Sequence, residues 1–165
     1  MEEFSTQVAP GAACPPPVSA HFVNNVLAAA ASYIDEDPDY ARDVLAELGQ
    51  FLSYRLRNDR APVTLRQELD HIANYLRLQE ARFPDRLEIT DIADSGSSAG
   101  ALVEPGRLAR DLDAALGQRL RSDAGPCPIT LLPRGDGLQV TFGPPDAADA
   151  DTLMLSFVRS VEVPR

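Results

Sequence analysis

His21 and Asn25 stand four residues apart, and in a helix that spacing puts both side chains on one face. An imidazole is partly unprotonated near neutral pH and is then a nucleophile. Facing solvent beside a side-chain amide, it can accept a phosphoryl group while the amide orients what arrives. The pair alone is weak evidence, since a single helical His is commonly a plain surface residue. His71 lies beside Asp70 inside another helical stretch and reads as a solvated-face residue. Arg55, Arg57 and Arg60 read as a charge complement to a helix C-terminus, with contact to an acidic partner as the alternative. Arg82 and Arg86 read as structural ion-pair residues, and the acids from Asp35 to Asp39 as a solvated turn. Cys14 and Cys127 are far apart and lack metal-ligand spacing, so no metal site is expected.

Helices must position these groups. Val18, Phe22, Val26, Ala29 and Tyr33 recur at helical intervals, which predicts a first helix over 18–34. Asp35-Glu36-Asp37-Pro38 interrupts it, and Asp37 before Pro38 is a cap and first-turn pair for a second helix. That helix carries Val44, Leu45, Leu48, Phe51, Leu52 and Leu56 and ends near Asn58. Two amphipathic helices joined by so short a turn are expected to pack as an antiparallel hairpin. Their apolar residues, Phe22 and Leu45 among them, lie on more than one side. Two hairpins would bury them as a four-helix bundle in a homodimer.

Thr64 and Gln67 form a capping-box pair for a third helix, which bears Leu65, Leu69, Ile72 and Leu76 and ends by Pro84. Leu87 to Ile92 alternates with period two, as a strand does. A loop over 95–100 leads to a fourth helix after Pro105, carrying Leu108, Leu112 and Leu116. Ile129 to Leu132 and Leu138 to Phe142 are strands flanking a turn at Gly135-Asp136-Gly137, and Leu153 to Val158 is the last. The fold class is α+β. Residues 1–17 are polar, Pro-rich and expected to be disordered; 18–60 form the helical hairpin; 61–165 form a small α/β layer unit.

The chain of 165 residues carries a net charge of −10. Such acidity argues against nucleic acid and anionic membrane surfaces, both of which call for concentrated Lys and Arg. No signal peptide and no apolar stretch long enough for a bilayer stands out, so no direct membrane insertion is expected. A cytoplasmic location is the expectation.

Four segments carry a family resemblance. His21-Phe22-Val23-Asn24-Asn25-Val26-Leu27 resembles the His-Phe-Leu-Phe-Asn-x-Leu box of the LytS/YehU-type sensor histidine kinases. Leu48 to Leu56 resembles their Leu-Ser-x-Leu-Leu-Arg-Tyr segment, and Val63 to Leu69 their Val-x-Leu-x-x-Glu-Leu box. Asn74 to Leu87 resembles their Tyr-Leu-x-Ile-x-x-x-Arg-Phe-x-x-Arg-Leu stretch. The boxes follow in order over about residues 20–92. The resemblance implies a dimerisation and histidine-phosphotransfer-like hairpin at 18–60 and a histidine-kinase-ATPase-like unit at 61–165. It makes His21 the phosphoacceptor and Asn25 a positioning residue.

There are departures. Ala20 stands where the family has Pro, and Asn24 replaces an apolar residue. The family's magnesium-binding Asn aligns with Ala114, whose methyl cannot ligate a cation that demands oxygen. Its adenine-reading Asp aligns near Phe142, and no Gly-rich phosphate loop follows. The ATPase-like unit is therefore expected to be degenerate, with no cofactor of its own. The layout resembles the sporulation phosphotransferase B of bacilli. One role left open is a phosphotransferase in a phosphorelay, acting on response-regulator receivers that bring their own magnesium. Another is a pseudokinase module that dimerises with or sequesters a sensor kinase or regulator. A residual histidine kinase is the third.

Overall fold

The computed structural model describes residues 19–57, 61–92, 100–121, 125–134, 137–143 and 150–156. The expectation for 1–17, Arg60, Cys14 and most of the 95–100 loop lies outside them. Helix α1 spans Ala20–Tyr33 and α2 spans Pro38–Arg57. Between them the Asp37 carboxylate accepts the Tyr40 amide at 3.0 Å. Pro38 takes the first helical position, where a missing N–H breaks no bond. The Tyr33 and Tyr40 rings meet edge-on across this turn at 4.8 Å.

Strand β1 is Val63–Thr64, and helix α3 follows at Leu65–Arg82. The Thr64 and Gln67 capping box is fully formed. Ten of the 18 residues of α3 are buried, on more than one side of the helix. A helix buried nearly all round belongs at the centre of a fold. Helix α3 packs on α1 and α2 and also on β2 and α4. Leu65, Ile72, Leu76 and Leu78 share one core with Val26, Val44, Leu48 and Phe51. A single chain thus covers apolar residues that the sequence assigned to a partner's hairpin. Leu45, at 45% exposure, stays outside this core.

Strand β2 is Leu87–Ile92, β3 is Leu102–Val103, and helix α4 is Arg107–Arg121. Strands β4 (Cys127–Arg134), β5 (Gly137–Phe142) and β6 (Asp151–Ser156) follow. The main sheet has the order β2-β4-β5-β6, with β2 parallel to β4 and the other pairs antiparallel. The parallel pair needs a long crossover, and α4 lies within it. Ile129, Leu131, Leu138 and Val140 are fully buried in the core with Leu108, Leu112 and Leu116 of α4. Thr130, Thr141 and Thr152 sit side by side in register on three strands.

A second, two-stranded sheet pairs β1 with β3, and the Leu65 amide donates to Ala101 O at 2.7 Å. It clips the start of α3 to the segment just before α4. Two-residue strands leave no periodicity to read, so the sequence did not reveal them. No helix among the described residues is long and apolar enough to cross a membrane.

Candidate phosphoacceptor site

Phe22 decides where His21 points. Its ring packs on Phe51 at 5.3 Å and on Tyr75 at 5.9 Å. The Arg82 guanidinium lies 5.4 Å from the same ring. With Phe22 anchored on α2 and α3, the preceding residue, His21, faces solvent. One turn later the Asn25 amide nitrogen lies 3.2 Å from His21 Nδ1 and 3.5 Å from Nε2. The amide therefore spans the ring edge between the two nitrogens. Donation to Nδ1 places the ring proton on Nε2. Half a turn of the amide offers Oδ1 to an Nδ1–H instead, and leaves the Nε2 lone pair open.

The structure places the other two expected positions elsewhere. Ala114 is exposed on α4. Phe142 is buried at the end of β5, opposite Ile129 and Asp151. With Ala115, Gln118, Arg119, Thr152 and others it lines a cleft of about 380 Å³ between α4 and β6. Arg119 and Asp151 form an ion pair at 3.6 Å between those two elements. Neither an alanine methyl nor a phenyl ring can ligate a hard cation or hydrogen-bond a base edge. Among the described residues no group of His, Cys, Asp or Glu is placed to hold a metal, and Cys127 is a buried free thiol.

The sequence reading of His71 is corrected. It is 2% exposed and not on a solvated face. Phe51 and Tyr54 of α2 stack on its ring at 4.8 and 4.1 Å. Burial, with the Arg55 charge behind it, pushes its pKa down to about 3. The ring stays neutral, and among the described residues neither nitrogen has a hydrogen-bond partner.

Beside it lies Glu68, fully buried, the Glu of the Val63–Leu69 box, to which the sequence reading gave no chemical role. Its carboxylate accepts the Tyr54 hydroxyl at 2.7 Å and the Gly106 amide at 2.8 Å. Burial raises the Glu68 pKa, while the Tyr54 hydroxyl and the amides of Gly106, Ala109 and Leu108 oppose the rise. Those amides open α4, so Glu68 occupies the anion seat at its N-terminus. Gly106 has φ +70°, and a Cβ there would stand 2.1 Å from the Arg55 guanidinium. The readable signal was position: Glu68, His71, Tyr75 and Leu78 form a second stripe on α3 beside Leu65, Leu69, Ile72 and Leu76.

A relay of hydrogen bonds joins this region to Phe22. Arg82 donates to Gln79 at 2.7 Å, Gln79 donates to the Tyr75 hydroxyl at 2.5 Å, and that hydroxyl donates to Asp113 of α4. Arg82 is thus held by a neutral amide and two rings, where the sequence suggested an ion pair. Arg86 donates to Leu120 O at 3.3 Å.

The histidine kinase family model matches residues 17–87. The sensor protein LytS of Staphylococcus saprophyticus is 35% identical over 89 residues, covering 53% of this chain and 15% of that protein. Residues 17–87 belong to the LytS-type histidine kinase family. The LytS of Staphylococcus haemolyticus is 36% identical over a match of the same extent. The sensor histidine kinase YpdA of Escherichia coli is 33% identical over 73 residues, covering 44% of this chain and 13% of that protein. The chain thus spans about 15% of the length of the LytS proteins it matches. His21, Asn25, Glu68 and His71 lie inside the matched residues; Ala114 and Phe142 lie beyond them.

The buried neutral His71 has a consequence for acid stability. Its folded pKa of about 3 lies below the ordinary 6.5. Between those values the unfolded chain binds a proton that the folded chain refuses, so stability is lost as pH falls. A His71→Phe variant is expected to lose less, by up to about 5 kcal/mol across the window. Glu68, with its raised pKa, acts in the opposite sense and is present in both proteins, so the difference isolates His71. Urea denaturation of both at several pH values measures it, and equal pH dependence would contradict the neutral buried ring.

Proposed function

We propose that this chain works in two-component signalling as a histidine phosphotransferase, with His21 as the nucleophile and a response-regulator receiver as donor and acceptor. The observation that carries this reading is the exposed His21 with the Asn25 amide across its ring edge at 3.2 Å. In the proposed step Asn25 Oδ1 holds the proton on Nδ1, and the Nε2 lone pair attacks the phosphorus of the receiver's aspartyl phosphate. The N–P bond forms, the P–O bond to the aspartate breaks, and the carboxylate leaves as an anion on the receiver. Magnesium comes with the receiver. Ala114 and Phe142 support a source of phosphoryl outside this chain, because the groups the resemblance assigns to nucleotide binding are replaced there.

In this reading α1 and α2 form an antiparallel hairpin that dimerises as a four-helix bundle. Leu27 and Leu45, at 44% and 45% exposure, support that surface. The same exposed leucines favour a second reading, a binding module that pairs with or sequesters a kinase or regulator.

Light scattering at micromolar concentration is expected to give a dimer, and Leu27→Glu with Leu45→Glu a folded monomer; a monomeric parent chain would contradict the bundle. For the chemistry, the chain is mixed with a phosphorylated receiver domain and assayed for acid-labile label. Label is expected on the parent chain and absent from His21→Ala. Tight receiver binding with no label on the parent chain would displace phosphotransfer in favour of the binding module.

A further inference from the structure

One cleft plays no part in the proposed transfer. It lies between the start of α1, α2 and α4, has a volume of about 240 Å³, and has α3 as its floor. Phe22, Phe51 and Tyr75 supply apolar walls, and His71, Arg55 and Arg110 supply polar groups.

His71 is the first unusual feature. Phe51 and Tyr54 stack on its ring, and His71 also lines the cleft. Both ring nitrogens are buried and unpartnered among the described residues. A buried polar group left unpaired costs about 1–3 kcal/mol, so such groups are normally matched.

Arg110 is the second. Its Nε and Nη2 atoms are buried and lack a hydrogen-bond acceptor among the described residues. Glu104 stands 3.6 Å from Nη2, close enough for an ion pair but too far for a hydrogen bond. Nε and Nη2 form the side of the guanidinium that grips a carboxylate or phosphate through two parallel bonds. Asp113, the carboxylate that lines the cleft, already accepts the Tyr75 hydroxyl.

We propose that this cleft is a binding site for a small organic acid, a carboxylate or a phosphate ester, whose anionic end lies on the Arg110 fork. The apolar body of the ligand packs against Phe22, Phe51 and Tyr75, and a polar atom on it pairs with the His71 edge. The neutral state of His71 suits this, since a neutral ring offers one donor and one acceptor. The site shares the Phe22 seat with His21 but uses no atom of His21.

The test titrates the full chain with benzoate, phenyl phosphate and inorganic phosphate, by calorimetry and by proton–nitrogen correlation spectra of the histidine rings. At least one aromatic acid is expected to bind and to move the His71 ring signals. Benzoate binding more tightly assigns a carboxylate ligand, and phenyl phosphate binding more tightly assigns a phosphate ester. Arg110→Gln is expected to weaken binding about tenfold or more, and Arg110→Lys, which keeps the charge but loses the fork, to weaken it too. Circular dichroism melts of both variants show that the fold is retained. Three results would each overturn the site: no binding of either aromatic acid up to about 10 mM, well above weak affinity; unchanged affinity in a folded Arg110 variant; or inorganic phosphate binding as tightly as phenyl phosphate.

Discussion

A carboxylate with no exposure to water organises this molecule. Glu68 belongs to α3, takes the hydroxyl of Tyr54 from α2, and takes the amide of Gly106 at the opening of α4. Burying such a charge is expensive unless it is surrounded by donors. The donors to Oε2 come from two other elements, so that oxygen is paired only when all three meet, while Oε1 is buried without a partner among the described residues. Much follows from that meeting. Gly106 must adopt a positive φ and leave room for Arg55. Tyr54 must lie flat on His71, which excludes water from that ring. The β1–β3 clip holds the same junction from the chain side.

The helix bearing His21 is tied to this junction indirectly. Phe22 rests on Phe51 and Tyr75, and Tyr75 is hydrogen-bonded to Asp113 of α4. A rigid seat one residue away turns a surface imidazole into a presented one. The chemistry at His21 needs only an incoming phosphorus and a settled ring proton, and Asn25 governs the second. The proposed phosphotransfer uses nothing else from this chain, and that economy fits Ala114 and Phe142 standing where the resemblance expects nucleotide-binding residues.

Much of the layout was legible because its signals are local. Asp37-Pro38 and Thr64 with Gln67 mark two helix starts, and each forms its cap. Period-two alternation marked β2, and the runs flanking a hairpin turn signal marked β4 and β5 to within two residues, while β6 begins at Asp151, two residues before the expected Leu153. What escaped depends on partners distant in sequence. His71 beside Asp70 looks like a surface residue until α2 lays two rings on it. Glu68 is only a matching letter in a family box until α4 arrives at its carboxylate. Helix α3 looked one-sided because its second buried stripe is made of Glu, His and Tyr, which a hydrophobic count passes over. His21 and Asn25 were visible from spacing alone, and the resemblance around them gave that spacing its meaning.

The proposed transfer turns on the source of the phosphoryl group. If Ala114 and Phe142 have closed the nucleotide route, His21 must be charged by another protein. Calorimetric titration of the full chain with magnesium and ATP addresses this directly. No heat of binding is the predicted result, and micromolar affinity would contradict it.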